Sequence, residues 1–164
     1  MSWSSVWAAP ASADPRPNAT RARLNGPITP NRSETEAALG GRELTGDREI
    51  LEGGKALLRK CGAKAILITR GEEGMSLVER GKKAFFHIPA LARQVFDVTG
   101  AGDTVVGTLA VGMGVGAPLR DAALLANVAA GVVVGEIGTS PITIEKLSRA
   151  LRLREREGGE SLCG

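Results

Sequence analysis

A chain of 164 residues is long enough for one globular domain and too short for two. With 43% hydrophobic and 24% charged residues it can build a core, while 3% aromatic residues and no tyrosine leave it without the stacking platforms that single-stranded nucleic acids use. The formal charge of +3 is small, and the arginines gather near the ends (Arg16, Arg21, Arg23; then Arg149, Arg152, Arg154, Arg156 among acids), which reads as solvated tails and no nucleic-acid groove.

Residues 1–25 are rich in Ala, Ser, Pro, Asn and Arg without periodicity and are expected to form a disordered arm. No Lys or Arg precedes Asp14 and no apolar run of useful length follows, which is not the pattern of a secretory leader. Ile28-Thr29-Pro30-Asn31 reads as a strand end. Ser33 and Glu36 then have capping-box spacing ahead of Ala37-Ala38-Leu39 and the stop at Gly40-Gly41, which predicts a short helix. From Asp47 to Lys60 the pairs Ile50/Leu57 and Leu51/Leu58 recur at helical spacing; Gly62 suits a C-terminal cap, and Gly53-Gly54 weakens the middle.

Ala65-Ile66-Leu67-Ile68-Thr69 is a continuous apolar run between turn formers, as in a strand buried on both faces of a parallel sheet. Met75–Val78 and Ala84–Ile88 flank Arg80-Gly81-Lys82 and predict a hairpin. Gln94–Val98 leads into Thr99-Gly100-Ala101-Gly102-Asp103, and a Gly-rich apolar helix should run to about Gly116. Pro118 opens another, reaching about Val134, and a last helix starts at Thr143 with Ile144, Leu147 and Leu151 on one face. Residues 152–164 read as a charged tail, so the organised part is 26–151. The apolar stretches 104–116 and 122–135 are each shorter than the ~18 residues a bilayer span needs. Cys61 and Cys163 make no metal-ligand or disulfide framework, which fits a reducing, cytoplasmic setting.

The segment Asp97–Asp103 carries the most chemistry. Its glycines let backbone N–H groups approach a ligand, and the helix that follows points its positive end at the same spot, which makes an anion site. Asp103 at that helix mouth can take a proton from an attacking hydroxyl while the amides hold a phosphoryl group, or it simply caps the helix. A dinucleotide site does not fit, because Val105 stands at the third glycine position and no second strand ending in an acid follows; a Walker loop lacks its Lys-Ser/Thr. Asn31 and Glu34 read on their own as a turn and a first-turn helix acid. Asn127, in an apolar helix, needs partners: a nucleotide edge, or a cap or interhelical hydrogen bond. His87 reads as a packed or edge residue, and Met75 and Met113 as core.

Asp97-Val98-Thr99-Gly100-Ala101-Gly102-Asp103 followed by Gly107 resembles the C-terminal signature of the ribokinase-like (PfkB) carbohydrate kinases, and Asn31-Arg32-Ser33-Glu34 resembles their NxxE motif. Thr69-Arg70-Gly71-Glu72-Glu73-Gly74 resembles their nucleotide-contacting turn. Within the family, the wording of 96–105 and 126–135 is most similar to the kinase domain of bifunctional heptose 7-phosphate kinase/ADP-heptose synthases. The resemblance covers roughly 28–151 and implies the C-terminal part of a three-layer α/β/α ribokinase-like fold. It implies that Asp103 is the catalytic base and that Gly100, Ala101 and Gly102 supply amides to the transferred phosphoryl of ATP. It also implies that Asn31 and Glu34 organise Mg²⁺ and its waters, that Thr69, Gly71 and Gly74 lie near the nucleotide and Asn127 near the adenine, and that Asp97 and Thr99 hold a monovalent cation such as K⁺.

The family's sugar-binding half and lid have no counterpart here, so the chain reads as a truncated kinase acting on a sugar or sugar phosphate, its activity alone in doubt; a non-catalytic nucleotide-binding remnant is the alternative. A sheet cut through its middle would expose the edge of Ile66-Leu67-Ile68 and favour self-association.

Overall fold

The computed structural model describes residues 26–91, 98–135 and 141–160, with side chains through residue 154 of the last stretch. Residues 1–25, most of the strand expected over 94–98, Asp97 and Cys163 lie outside the described residues.

A four-stranded sheet runs in the order β1 (Pro27–Ile28), β2 (Ala65–Thr69), β3 (Met75–Glu79), β4 (Phe86–Ile88). The apolar run of β2 is explained by what lies on each side of it. Ala65 and Leu67 pack with Met75, Leu77 and Ile88 against α3 (Ala101–Gly114) and α4 (Leu119–Val134), through Val105, Leu109, Ala122, Ala123, Ala126 and Ala130. Ile66 and Ile68 face the other way, with Val78, against Ile50, Leu57 and Leu58 of α2 (Asp47–Cys61). Period-two alternation therefore sends successive side chains into two separate apolar clusters, the signature of helices on both faces. Gly54 permits the close approach of α2: a Cβ there would lie 2.6 Å from Val78 Cγ2.

Three expectations need correction. The sheet is mixed, since β2 is parallel to β1 but antiparallel to β3 over its whole length; the five residues 70–74 are too few for a crossover, so the chain can only turn back. The Ile66-Leu67-Ile68 strand is no edge, because β1 and β3 flank it, with Ile28 paired to Ile66 and Leu77 to Leu67. Finally, the capping box of α1 (Arg32–Ala38) is built by Asn31 and Glu34, not by Ser33 and Glu36, because the helix begins two residues earlier and Ser33 falls inside it. Glu36 instead accepts a hydrogen bond from the Leu44 amide at 2.8 Å.

The helix over 47–60 ends as expected, with Gly62 in the left-handed region at φ 71°. The last helix, α5 (Ile144–Glu160), continues through most of the stretch read as a tail. His87 is exposed on the edge strand β4, edge-on to Phe85. No described helix is long and apolar enough to cross a membrane.

Candidate active site

The carboxyl ends of the two parallel strands meet the start of α3, the place where open α/β sheets bind ligands. From β1 the chain passes through Pro30 to Asn31, which opens α1; Asn31 Oδ1 accepts the Glu34 amide at 2.7 Å and Glu34 Oε2 accepts the Asn31 amide at 2.9 Å. The Thr69 amide, at the end of β2, donates to the Pro30 carbonyl at 3.0 Å and so fixes the two strand ends side by side. A tight turn follows. The Arg70 amide donates to the Gly74 carbonyl at 2.8 Å and the Gly74 amide to the Gly71 carbonyl at 3.0 Å, around a 3₁₀ turn at Gly71–Glu73.

Gly100 caps α3 with φ 81°, a conformation that glycine adopts without strain. The Ala101 amide is spent in this turn, donating to the Val98 carbonyl at 3.2 Å. The amides of Gly102 and Asp103 are first-turn donors, for which the helix itself offers no carbonyl. Both residues are exposed.

Two cavities adjoin here. The first, about 690 Å³, is lined by Asn31, Arg32, Glu34, Thr69, Arg70, Gly71, Gly102 and Asp103, with Val98, Val105 and Val106 as apolar wall. The second, about 450 Å³, is lined by Gly74, Met75, Ala90, Leu91, Asn127, Ala130 and Val134. Thr69, Gly71, Val98, Gly102 and Val105 belong to both. The site residues expected from the sequence thus divide by chemistry. Asn31, Glu34 and Asp103 share the polar chamber; Gly74 and Asn127 border the apolar one. Asn127 is buried, and its Nδ2 donates to the Pro89 carbonyl at 2.9 Å, a loop partner that neither sequence alternative named. Thr99 sits exposed in the turn before Gly100.

Residues that sequence reasoning passed over complete the polar chamber. Arg70 is buried and pairs with Asp47 at 2.8 Å, with Ser76 Oγ at 3.0 Å, and with Glu73. Glu73 also takes a salt bridge from Arg32 across the chamber rim. The Arg32 guanidinium, helped by that of Arg70, holds the Glu73 carboxyl below the usual glutamate range. An arginine placed directly after a buried strand and before a glycine turn was the available signal.

Among the described residues no cluster of three or more His, Cys, Asp or Glu could hold a metal by itself. One carboxylate and one amide bordering the polar chamber do suit Mg²⁺, which keeps waters and takes its remaining ligands from a nucleotide. The capping box uses one oxygen of Glu34 and the carbonyl oxygen of the Asn31 side chain, and leaves Glu34 Oε1 for such a role.

A family profile described as pfkB family carbohydrate kinase matches residues 5–146, beginning inside the stretch expected to be a separate arm. The bifunctional protein HldE of Alkalilimnicola ehrlichii is 50% identical over 131 residues, which are 80% of this chain and 27% of that protein. Among solved structures, a ribokinase of Thermotoga maritima superposes with a TM-score of 0.67 at 27% identity over 77% of this chain and 42% of the other. The Arabidopsis thaliana ribokinase complexed with ribose and ATP gives a TM-score of 0.67 at 28% identity, covering 77% of this chain and 40% of that one. The match therefore spans between 27% and 42% of the length of these relatives.

Proposed function

Because the chain belongs to the pfkB family of carbohydrate kinases and has their ribokinase-like α/β fold, we propose that its two cavities form the nucleotide side of a site transferring phosphate from ATP to a sugar hydroxyl. The observation that carries this reading is the position of Asp103. It shares one chamber with Asn31, Glu34 and Gly102, and that chamber opens through Thr69 and Gly71 into an apolar one. The apolar chamber suits a base and the polar chamber a polyphosphate.

In this reading the Asp103 carboxylate accepts the hydroxyl proton as the sugar oxygen bonds to the terminal phosphorus and the bond from that phosphorus to the bridging oxygen breaks, releasing ADP. The Gly102 and Asp103 amides of α3 face the charge that builds on the phosphoryl oxygens, whereas the Ala101 amide, committed to Val98, does not. Asn31 and Glu34 hold Mg²⁺ through water; when bound, the ion neutralises phosphate charge. The similarity of 96–105 and 126–135 to heptose 7-phosphate kinase domains, noted above, supports a heptose phosphate as acceptor.

Asp103→Asn keeps the amides and removes the base. It should lower transfer from ATP by about 10²- to 10⁴-fold while sparing nucleotide affinity; equal kinetics would reject the assignment. A second reading, nucleotide binding without transfer, is favoured by one observation: Asp103 is exposed, and Val98 and Val106, which line the same chamber, are exposed apolar residues. ATP binding without turnover at high protein concentration would select it.

A further inference from the structure

The polar chamber contains two acids, Glu34 and Asp103, and two cations, Arg32 and Arg70. The cations are held very differently. Arg70, with 4% of its side chain exposed, is fixed by Asp47, Ser76 and Glu73. Arg32 is 31% exposed, and its one ion-pair partner among the described residues is Glu73. The Nε of each arginine is buried without a hydrogen-bond partner, so a guanidinium donor is left unsatisfied on the loosely held Arg32 as on the fixed Arg70, and what separates the two is the number of partners on their other nitrogens.

Glu73 accepts from both arginines, so Arg32 can leave without stranding a carboxylate: Arg70 stays paired to it. A solvent-accessible pair of this kind also contributes little to stability. A phosphate group offers a guanidinium a better partner, with charge and two-pronged geometry matched.

From this arrangement, and resting on the kinase reading above, we infer that Arg32 is the mobile phosphate-binding cation of the polar chamber, resting on Glu73 and moving onto a bound phosphate group. It binds either the polyphosphate of the nucleotide or the phosphate of a phosphorylated acceptor. The shared chemistry is a multiply charged phosphate ester beside Asp103.

The test titrates the full chain and Arg32→Ala with four probes: ATP, inorganic tripolyphosphate, adenosine and a sugar phosphate. Arg32→Lys serves as the charge-keeping variant, and circular dichroism confirms the fold of each. In Arg32→Ala, affinity for ATP and tripolyphosphate should fall about tenfold or more while adenosine affinity holds, with Arg32→Lys restoring part of the loss. Loss confined to the sugar phosphate assigns Arg32 to the acceptor and equally supports the inference. Unchanged affinity for every phosphate in Arg32→Ala, or no phosphate binding by the parent chain, overturns it. Failure of the kinase reading looks different: tripolyphosphate then binds through Arg32, but adenosine does not bind and ATP gains nothing over tripolyphosphate.

Discussion

Gly74 and Ile88 approach so closely that a Cβ on the former would lie 2.1 Å from the carbonyl oxygen of the latter, and Gly74 has φ 86° and ψ −129°. Steric room and backbone conformation both demand glycine here. The turn that separates the two chambers is therefore fixed by the adjoining strand β4. Gly74→Ala should destabilise the chain by about 3 kcal/mol or more, measured by urea unfolding, and weaken ATP binding beyond what the stability loss explains.

The start of α1 carries two duties. Asn31→Ala removes the cap on the Glu34 amide and should cost about 1 kcal/mol in unfolding experiments. It should also weaken Mg²⁺-dependent ATP binding more than ATP binding in the presence of chelator. Equal losses in both conditions would mean that Asn31 is a helix cap alone.

Much of this was legible beforehand, and the reasons differ by element. The β2 run announced itself because it feeds two apolar clusters at once, and Gly62 marked the end of α2 by its need for positive φ. The pairing direction of β3 was not legible, because a continuous apolar strand looks the same beside a parallel or an antiparallel neighbour. The Asn31–Glu34 cap was misplaced by two residues, since Ser33 and Glu36 satisfy the same spacing rule. Motif wording put Asp103 and Glu34 forward as site residues, and the fold brings both to the lining of one chamber. The Arg32–Glu73–Arg70 cluster was invisible because its members are 41 residues apart in part and meet only through the fold.

Acid should weaken that cluster. The Glu73 carboxyl titrates below its ordinary range through Arg32 and then Arg70, so its pairing contributes fully above the unfolded value and is lost as pH falls through the folded one. Melting temperature should decline as pH drops below about 4.3, the unperturbed glutamate value. In Glu73→Gln this acid-dependent decline should be shallower. An identical profile would show that the pairing adds nothing to stability.

Cys61 is half-buried, and burial raises its thiol above the ordinary range. Its thiolate fraction at neutral pH is accordingly small, and alkylation by iodoacetamide should run slower than for a free cysteine, accelerating as pH rises. A rate equal to that of a model thiol would show that burial does not perturb the Cys61 thiol.

The proposal that the Gly102 and Asp103 amides face a bound nucleotide is tested most directly by the backbone amide resonances of the chain titrated with Mg²⁺ and a non-hydrolysable ATP analogue. The largest shifts should fall at Gly102 and Asp103, with Thr69 and Gly71 moving and Leu147 and Leu151 of α5 unmoved. Saturable binding that leaves residues 100–103 unshifted would contradict the proposal.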